Sequence, residues 1–420
     1  MSYQTGGETA ILFQNEDRTV FLLDIPLSIG LAQGISAERQ LVSCPPLQSP
    51  YPSTEPKKEA ARLRVLERIP QSERAYHLDV IAPLVRGGLE TIRNGYGVGS
   101  RDWCRGRYVR DDNAATTGQD QHCILKKGKK KRECPHDDAE EEGHHEASAT
   151  ATTGPPVILS STCVNRFESL RELENVLVQN PAWEPAVLEL QGSQETTIHV
   201  PPGSSFMLCT LPLSPSPRPD PDPILHLSPG RKFDLLLLDP PWANRSVRRS
   251  GHYETQSYTD FDCLARYMSE ILQMHLRSAP ESLAAIWVTN SEKSRRAAYD
   301  AMERAGLSIC EEWIWVKTTV RGGPISAIDG LWRKPYEILV IGRKITSGIG
   351  ISFPAVSRRI IAAVPDVHSR KPNLKQLFET LLLPSHQYSA MEVFARNLTV
   401  GWLACGNEAV KFNCSEWWRG

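Results

Sequence analysis

No Cys-x-x-Cys pair occurs among the ten cysteines of this 420-residue chain. Cys123, Cys134, His136 and His144 lie close together, but their spacings match no standard zinc motif, so no metal is expected. The thiols then read as reduced, as in the nucleus or cytosol. No apolar stretch reaches the roughly 20 residues that a bilayer-spanning helix needs, so no membrane partner is expected. No secretory leader opens the chain, and Glu8, Glu16, Asp17 and Asp24 argue against a mitochondrial presequence. A G-x-G-x-x-G fingerprint following a strand is also missing, which excludes the usual dinucleotide-binding start. Net charge is small as well, −1 overall. That figure conceals an asymmetry: residues 225–420 carry 25 Lys and Arg against 19 Asp and Glu, a net +6, and the residues before them carry −7. A basic C-terminal half suits a polyanion such as nucleic acid.

At this length two domains, or one with large extensions, are expected. Residues 1–125 read as a mixed α+β region. A hairpin is expected from Thr9–Phe13 and Thr19–Asp24, and core-facing helical stripes from Ala60 to Leu66 and from Leu78 to Ile92, the second interrupted by Pro83 and a Gly pair. Residues 126–156 are a charged low-complexity insertion whose run Lys126–Arg132 reads as a nuclear import signal, placing the protein in the nucleus. Residues 157–199 read as a helical middle segment, with Asn165 capping a helix to Asn180 and Phe167, Leu170, Leu173 and Leu177 on one face. The remaining domain, 200–420, carries a Pro-rich inserted loop at 211–223 and then alternates. Leu264–Leu276 and Ser294–Glu303 have helical spacing; Leu235–Leu238, Ser282–Val288, Ile309–Val316, Tyr336–Ile341 and Ile360–Val364 read as strands. Such alternation predicts an α/β fold with a mostly parallel sheet covered on both faces, and puts Trp313 and Trp315 in its core.

The most telling segment is Leu235-Leu-Leu-Leu-Asp239-Pro240-Pro241-Trp242. Four leucines form a strand buried on both faces, and the prolines stop its ladder, so Asp239 stands at a strand's carboxyl end, where open α/β sheets place ligands. An exocyclic amine conjugated to a purine ring is a poor nucleophile. The Asp239 carboxylate can accept one amine hydrogen and the Pro240 carbonyl the other, which favours a tetrahedral nitrogen with its lone pair exposed to an electrophilic methyl group. Trp242 offers a flat face on which a base can stack, a contact of about 1–3 kcal/mol.

Asp239-Pro240-Pro241-Trp242 resembles the signature of the eukaryotic adenine N6-methyltransferases. The flanking Trp242-Ala-Asn244-Arg245-Ser246-Val247-Arg248-Arg249-Ser250 and Trp332-Arg-Lys-Pro-Tyr-Glu337 are similar to the branch called methyltransferase-like protein four. The resemblance covers about residues 200–420. It implies a Rossmann-like fold with a seven-stranded sheet in permuted order, the catalytic segment preceding the main cofactor loop. It also implies S-adenosylmethionine as cofactor, held at Lys371, Arg396, Asn397, Asn407 and Glu408, with Asp239 and the backbone at Thr210 and Leu211 completing the set. The chemistry is compatible: a lysine pairs with a carboxylate, and amide or carboxylate groups accept from ribose hydroxyls. Two positions depart from the family pattern, Ala395 where glycine is usual and Thr210 where aspartate is usual.

Two irregular stretches flank the catalytic segment. Asn244, Arg245, Ser246, Arg248, Arg249 and Tyr253 on the first, Trp332 and Arg333 on the second, and Asn290 at a neighbouring strand end form the expected substrate surface, a mixture of forked cations and aromatics suited to an extruded adenosine. The resulting expectation is N6-methylation of adenine in RNA, with adenosine or 2′-O-methyladenosine of small nuclear RNA as the target the branch implies. DNA is the alternative polymer, and a catalytically silent nucleic-acid-binding scaffold the alternative role. A monomer is expected, with a partner methyltransferase subunit left open.

Overall fold

In a computed structural model of the chain, the described residues are 8–35, 39–97, 101–110, 155–192, 196–213, 223–225, 227, 230–242, 261–344, 355–383 and 387–419. The strands of the first half are β1 (Ile11–Gln14), β2 (Val20–Leu23), β3 (Gln40–Leu41), β4 (Val157–Ile158), β5 (Asn165–Phe167), β6 (Leu177–Gln179), β7 (Ala186–Leu190), β8 (Thr196–Val200) and β9 (Ser205–Met207). Then come β10 (Leu235–Leu238), β11 (Leu283–Val288), β12 (Leu307–Lys317), β13 (Tyr336–Lys344), β14 (Ser357–Ala363), β15 (Ala390–Val393), β16 (Trp402–Cys405) and β17 (Trp418–Arg419).

Twelve of these form one sheet in the order β1-β2-β14-β12-β13-β11-β10-β15-β16-β9-β6-β4. Eight, β2, β14, β12, β11, β10, β15, β16 and β9, run one way; β1, β13, β6 and β4 run the other. The sheet is mostly parallel, as expected, but larger than seven strands. Residues 200–420 supply eight of the strands, one more than expected, and the other four come from outside them: the expected hairpin forms, and β2 pairs with β14, while β6 and β4 extend the opposite edge beyond β9.

Side-chain alternation assigns each strand to two cores. On β10, Leu236 and Leu238 face helices Phe261–His275, Glu292–Arg304 and Ala82–Tyr96. Leu235 and Leu237 face the side covered by helices Ile25–Ala32 and Lys375–Leu381, where Trp313 and Trp315 lie buried. Helix Ala82–Tyr96 comes close enough to the sheet that a Cβ on Gly88 would sit 2.9 Å from Ile360. That explains half of the Gly pair, and Pro83 falls in the first turn of the helix, where a missing N–H costs nothing.

Two expectations fail. The helix over 165–180 is replaced by β5, a 3-10 turn at Leu170–Leu173 and β6. A capping box between Ser169 and Glu172 starts the turn, but Glu174 is extended and Asn175 adopts φ +59°, which ends any helix. Asn165 caps nothing; its amide joins Ser160 and Val187 carbonyls. Helix Glu59–Glu67 does form, yet it buries no residue and so presents no core-facing stripe. The charged run at Lys126–Arg132, most of the loop at 211–223 and the Cys123–His144 group lie outside the described residues.

Candidate active site

The carboxyl ends of β10, β15 and β16 line up in register, Leu238 opposite Val393 and Val393 opposite Cys405. Asp239 adds one more rung, its N–H donating to the Val393 carbonyl at 3.2 Å, and then the prolines turn the chain away. Beyond these ends lies an open cleft, with Asp239, Lys371, Glu392 and Arg396 among its charged wall and Trp287 and Phe394 among its apolar wall.

Asp239 is held from two sides. Lys371 Nζ lies 3.1 Å from Oδ1 and Arg396 Nη1 3.9 Å from Oδ2. Lys371 also contacts Glu337 at 2.7 Å, and Glu337 in turn takes Lys317 at 2.5 Å. Burial alone would raise the Glu337 carboxyl, but the two lysines outweigh it and hold the group well below the usual carboxylate range. Burial likewise opposes the charge on Lys371, and Asp239 and Glu337 beside it raise its ammonium above the ordinary value. Arg396 is positioned by Glu408 at 3.1 Å and by the Ser369 carbonyl at 3.1 Å, and Lys411 closes this arm on Glu408 at 2.9 Å.

Glu392 behaves differently. It lies in the wall of the cleft and forms no ion pair among the described residues; desolvation, then the nearby charge of Asp239, outweighs the charges of Arg396 and Lys371 and pushes its carboxyl up to about 8. Asn397 also lines the cleft, and its Nδ2 is buried with no hydrogen-bond partner among the described residues, a donor left for a ligand.

The structure thus brings together Asp239, Lys371, Arg396 and Asn397, with Glu408 behind Arg396. Asn407 is exposed outside the cleft wall, Thr210 is exposed just past β9, and the Leu211 side chain packs in the core. Ala395 does not narrow the cleft, because its methyl is buried among Leu398, Ala404 and Val410 on the far side. The close approach falls instead on Gly406, at φ +142°, where a Cβ would lie 3.2 Å from the Phe394 Cα.

Trp242 requires a correction. Its indole is 7% exposed, its Nε1 donates to the Trp287 carbonyl at 2.7 Å, and its ring stacks on Phe261. The prolines fold it under β11, so it anchors the segment and offers no open face to a base. Its backbone N–H donates to the Pro240 carbonyl at 2.8 Å, occupying one of that oxygen's two lone pairs; Pro241 is half-buried between them. Asn290 stands two residues beyond β11, its Nδ2 donating to the Tyr336 carbonyl and its Oδ1 buried without a partner. Trp332 is 54% exposed and Arg333 is exposed on the loop that returns to Glu337. Asn244, Arg245, Ser246, Arg248, Arg249 and Tyr253 lie outside the described residues.

Sequence reasoning missed Lys317, Glu337 and Glu392 as site residues. Glu392 carried a readable signal, an acid inside the apolar strand Ala-Met-Glu-Val. Lys317 and Glu337 sit at the facing ends of β12 and β13, and only that antiparallel pairing brings them together.

Comparison with known proteins finds relatives of the part of the chain that builds this cleft. The MT-A70 family model matches residues 233–408, which contain Asp239, Glu408 and every cleft-lining residue but Phe412. A protein of Cryphonectria parasitica named N6-methyladenosine RNA methyltransferase MTA1 is 40% identical over 191 residues, 44% of this chain and 54% of that protein. A Pyricularia oryzae protein of the same name is 28% identical over 436 positions, 97% of this chain and 96% of its own. A mouse protein named N(6)-adenine-specific methyltransferase METTL4 is 31% identical over 254 residues, 57% of this chain and 48% of that protein. The chain therefore spans about half the length of the first and third of these relatives. The matched segment is thus centred on the strand ends that build the cleft, and this part of the chain is similar to the MT-A70 family of adenine methyltransferases.

Proposed function

We propose that this protein transfers a methyl group from S-adenosylmethionine to the exocyclic N6 amine of adenine in RNA, with small nuclear RNA adenosine, 2′-O-methylated or not, as the expected target. The observation that carries this reading is the Asp239 carboxylate, fixed at the end of β10 between Lys371 and Arg396 and facing an open cleft.

The cleft suits the cofactor. Its cations can pair with the amino-acid carboxylate, Asp239 offers negative charge to an ammonium or sulfonium, as Glu392 does once such a cation expels its proton, and the Asn397 amide can donate to a ribose oxygen. When bound, the cofactor supplies an electrophilic methyl group on sulfur. The chain's own residues then orient the acceptor. Asp239 keeps lone pairs beyond those used by Lys371 and Arg396, and the Pro240 carbonyl keeps one, so both can accept from the amine. Two acceptors set at an angle draw the nitrogen out of conjugation. No strong base is required, because the amine proton leaves after the methyl has arrived.

RNA is favoured because two relatives carry it in their names. A nuclear location belongs to the same reading and rests on the Lys126–Arg132 run. The test is nucleoside mass spectrometry on matched RNA and DNA oligonucleotides, with and without a 2′-O-methyl, after incubation with labelled cofactor. N6-methyladenine formed faster in RNA supports the proposal. Product in DNA alone would reassign the polymer, and nucleic-acid binding without cofactor binding, and with no product on any strand, would favour the scaffold role.

A further inference from the structure

The loop between β12 and β13 is flanked by Lys317 and Glu337, which pair with each other, and Glu337 ties both to the cleft through Lys371. N-terminal segments grip it along its length. Val320 donates to the Leu47 carbonyl at 2.9 Å, Tyr51 to the Ile325 carbonyl at 2.9 Å, and Leu331 to the Glu55 carboxylate. Arg62 fixes Glu55 from helix Glu59–Glu67 at 3.0 Å, and Arg93 reaches the Gly322 carbonyl at 3.1 Å. The loop and the helix therefore form one continuous platform.

Its outer side is built unlike a structural surface. Tyr51 is 56% exposed and Trp332 54% exposed, although both sit on chain tied down by backbone hydrogen bonds. The helix buries no residue, and Lys57, Lys58, Arg64 and Arg68 on and beside it are exposed, as is Arg333 on the loop. Exposed acids on the same helix and loop are Glu59, Glu67 and Asp329, the last paired with Arg86 at 3.6 Å, so cations still dominate. Fixed aromatics among exposed cations are the recognition chemistry of single-stranded nucleic acid, in which bases stack and phosphates pair with Lys and Arg.

We propose that nucleic acid flanking the target base leaves the cleft over Trp332 and Arg333 and continues onto Tyr51 and helix Glu59–Glu67. The platform is a second, sequence-tolerant binding surface for a single strand; that it serves the methylated strand rests on the function proposed above.

The experiment uses the full chain with Lys57, Lys58, Arg64 and Arg68 all changed to Gln, and separately Tyr51→Ala. Fluorescence anisotropy follows binding of an adenine-free oligouridine of about twenty nucleotides, long enough to span cleft and platform. The fourfold variant should bind at least about tenfold more weakly, with a log affinity against log salt slope shallower by about 0.7 for each phosphate that is no longer neutralised. Tyr51→Ala should weaken binding without changing the slope. Circular dichroism melts matching the unaltered protein confirm that the variants fold, and affinity for a trinucleotide should be unchanged. Unchanged affinity and slope on the long strand overturn the proposal; so does an equal weakening on the trinucleotide, which would place these cations at the cleft. Because the probe holds no adenine, failure here is separate from failure to methylate.

Discussion

Two acids, Glu392 in the cleft wall and Glu337 behind Lys371, carry opposite perturbations. Glu392 is pushed up to about 8, so the folded state holds its proton more tightly than the unfolded chain does. Its contribution to stability is complete below the ordinary carboxylate range and is lost as pH climbs to about 8. Glu337 is held low by Lys317 and Lys371, so its contribution is present above the ordinary range and lost in acid. Melting temperatures of the unliganded protein between about pH 5 and about pH 8 should therefore decline less with pH in Glu392→Gln than in the parent. An identical profile would show that Glu392 titrates normally. A cationic ligand beside this acid should also expel its proton. Calorimetry of S-adenosylmethionine binding at neutral pH, in buffers of different ionisation enthalpy, should reveal proton release in the parent and none in Glu392→Gln.

At the scale of elements, the turn that carries Lys371 is secured by a buried charge cluster. Asp366 accepts from Arg370 Nη1 at 2.6 Å and from the Cys44 N–H at 3.0 Å, and Arg107 lies 3.7 Å away; all three charged side chains are almost fully buried. The Arg370 guanidinium lies over Phe412 and Trp417. Asp366→Ala would leave two arginines buried without their counter-ion, and a loss of about 3–5 kcal/mol is expected in denaturant unfolding. A loss below about 1 kcal/mol, the size of an exposed pair, would mean that water reaches the cluster. Some elements were legible in sequence and others were not. Leu235–Leu238 was readable because burial on both faces leaves an uninterrupted apolar run, and Asp239 because prolines mark the strand's end. The 165–180 segment was misread because its leucines fit helical spacing while the Asn175 backbone, which decides the outcome, leaves no hydrophobic signature.

Over the whole molecule, the sheet belongs to no single stretch of sequence. The 200–420 boundary follows the resemblance, yet β2 completes the β14 edge, and Phe21, Leu23, Ile25 and Ile29 fill the core beneath Trp313 and Phe378. Long-range strand pairing of this kind cannot be read from local pattern, since short apolar runs near the N-terminus look alike whichever partner they find. The consequence is that residues 200–420 expressed alone should expose the β14 edge and an apolar face, and so aggregate or stay unfolded. Size-exclusion chromatography with circular dichroism checks this. A monodisperse, folded fragment that binds S-adenosylmethionine would contradict a structural role for the N-terminal strands.

Everything proposed for the reaction turns on Asp239 orienting the acceptor amine at the end of β10. The decisive variant is Asp239→Asn, which keeps the shape but removes the carboxylate, assayed for N6-methyladenine on an adenosine-containing RNA alongside calorimetric cofactor affinity. Turnover should fall by at least about a hundredfold, the scale of losing one aligned catalytic hydrogen bond, while cofactor affinity stays within about tenfold. Turnover equal to that of the parent would contradict the role given to Asp239.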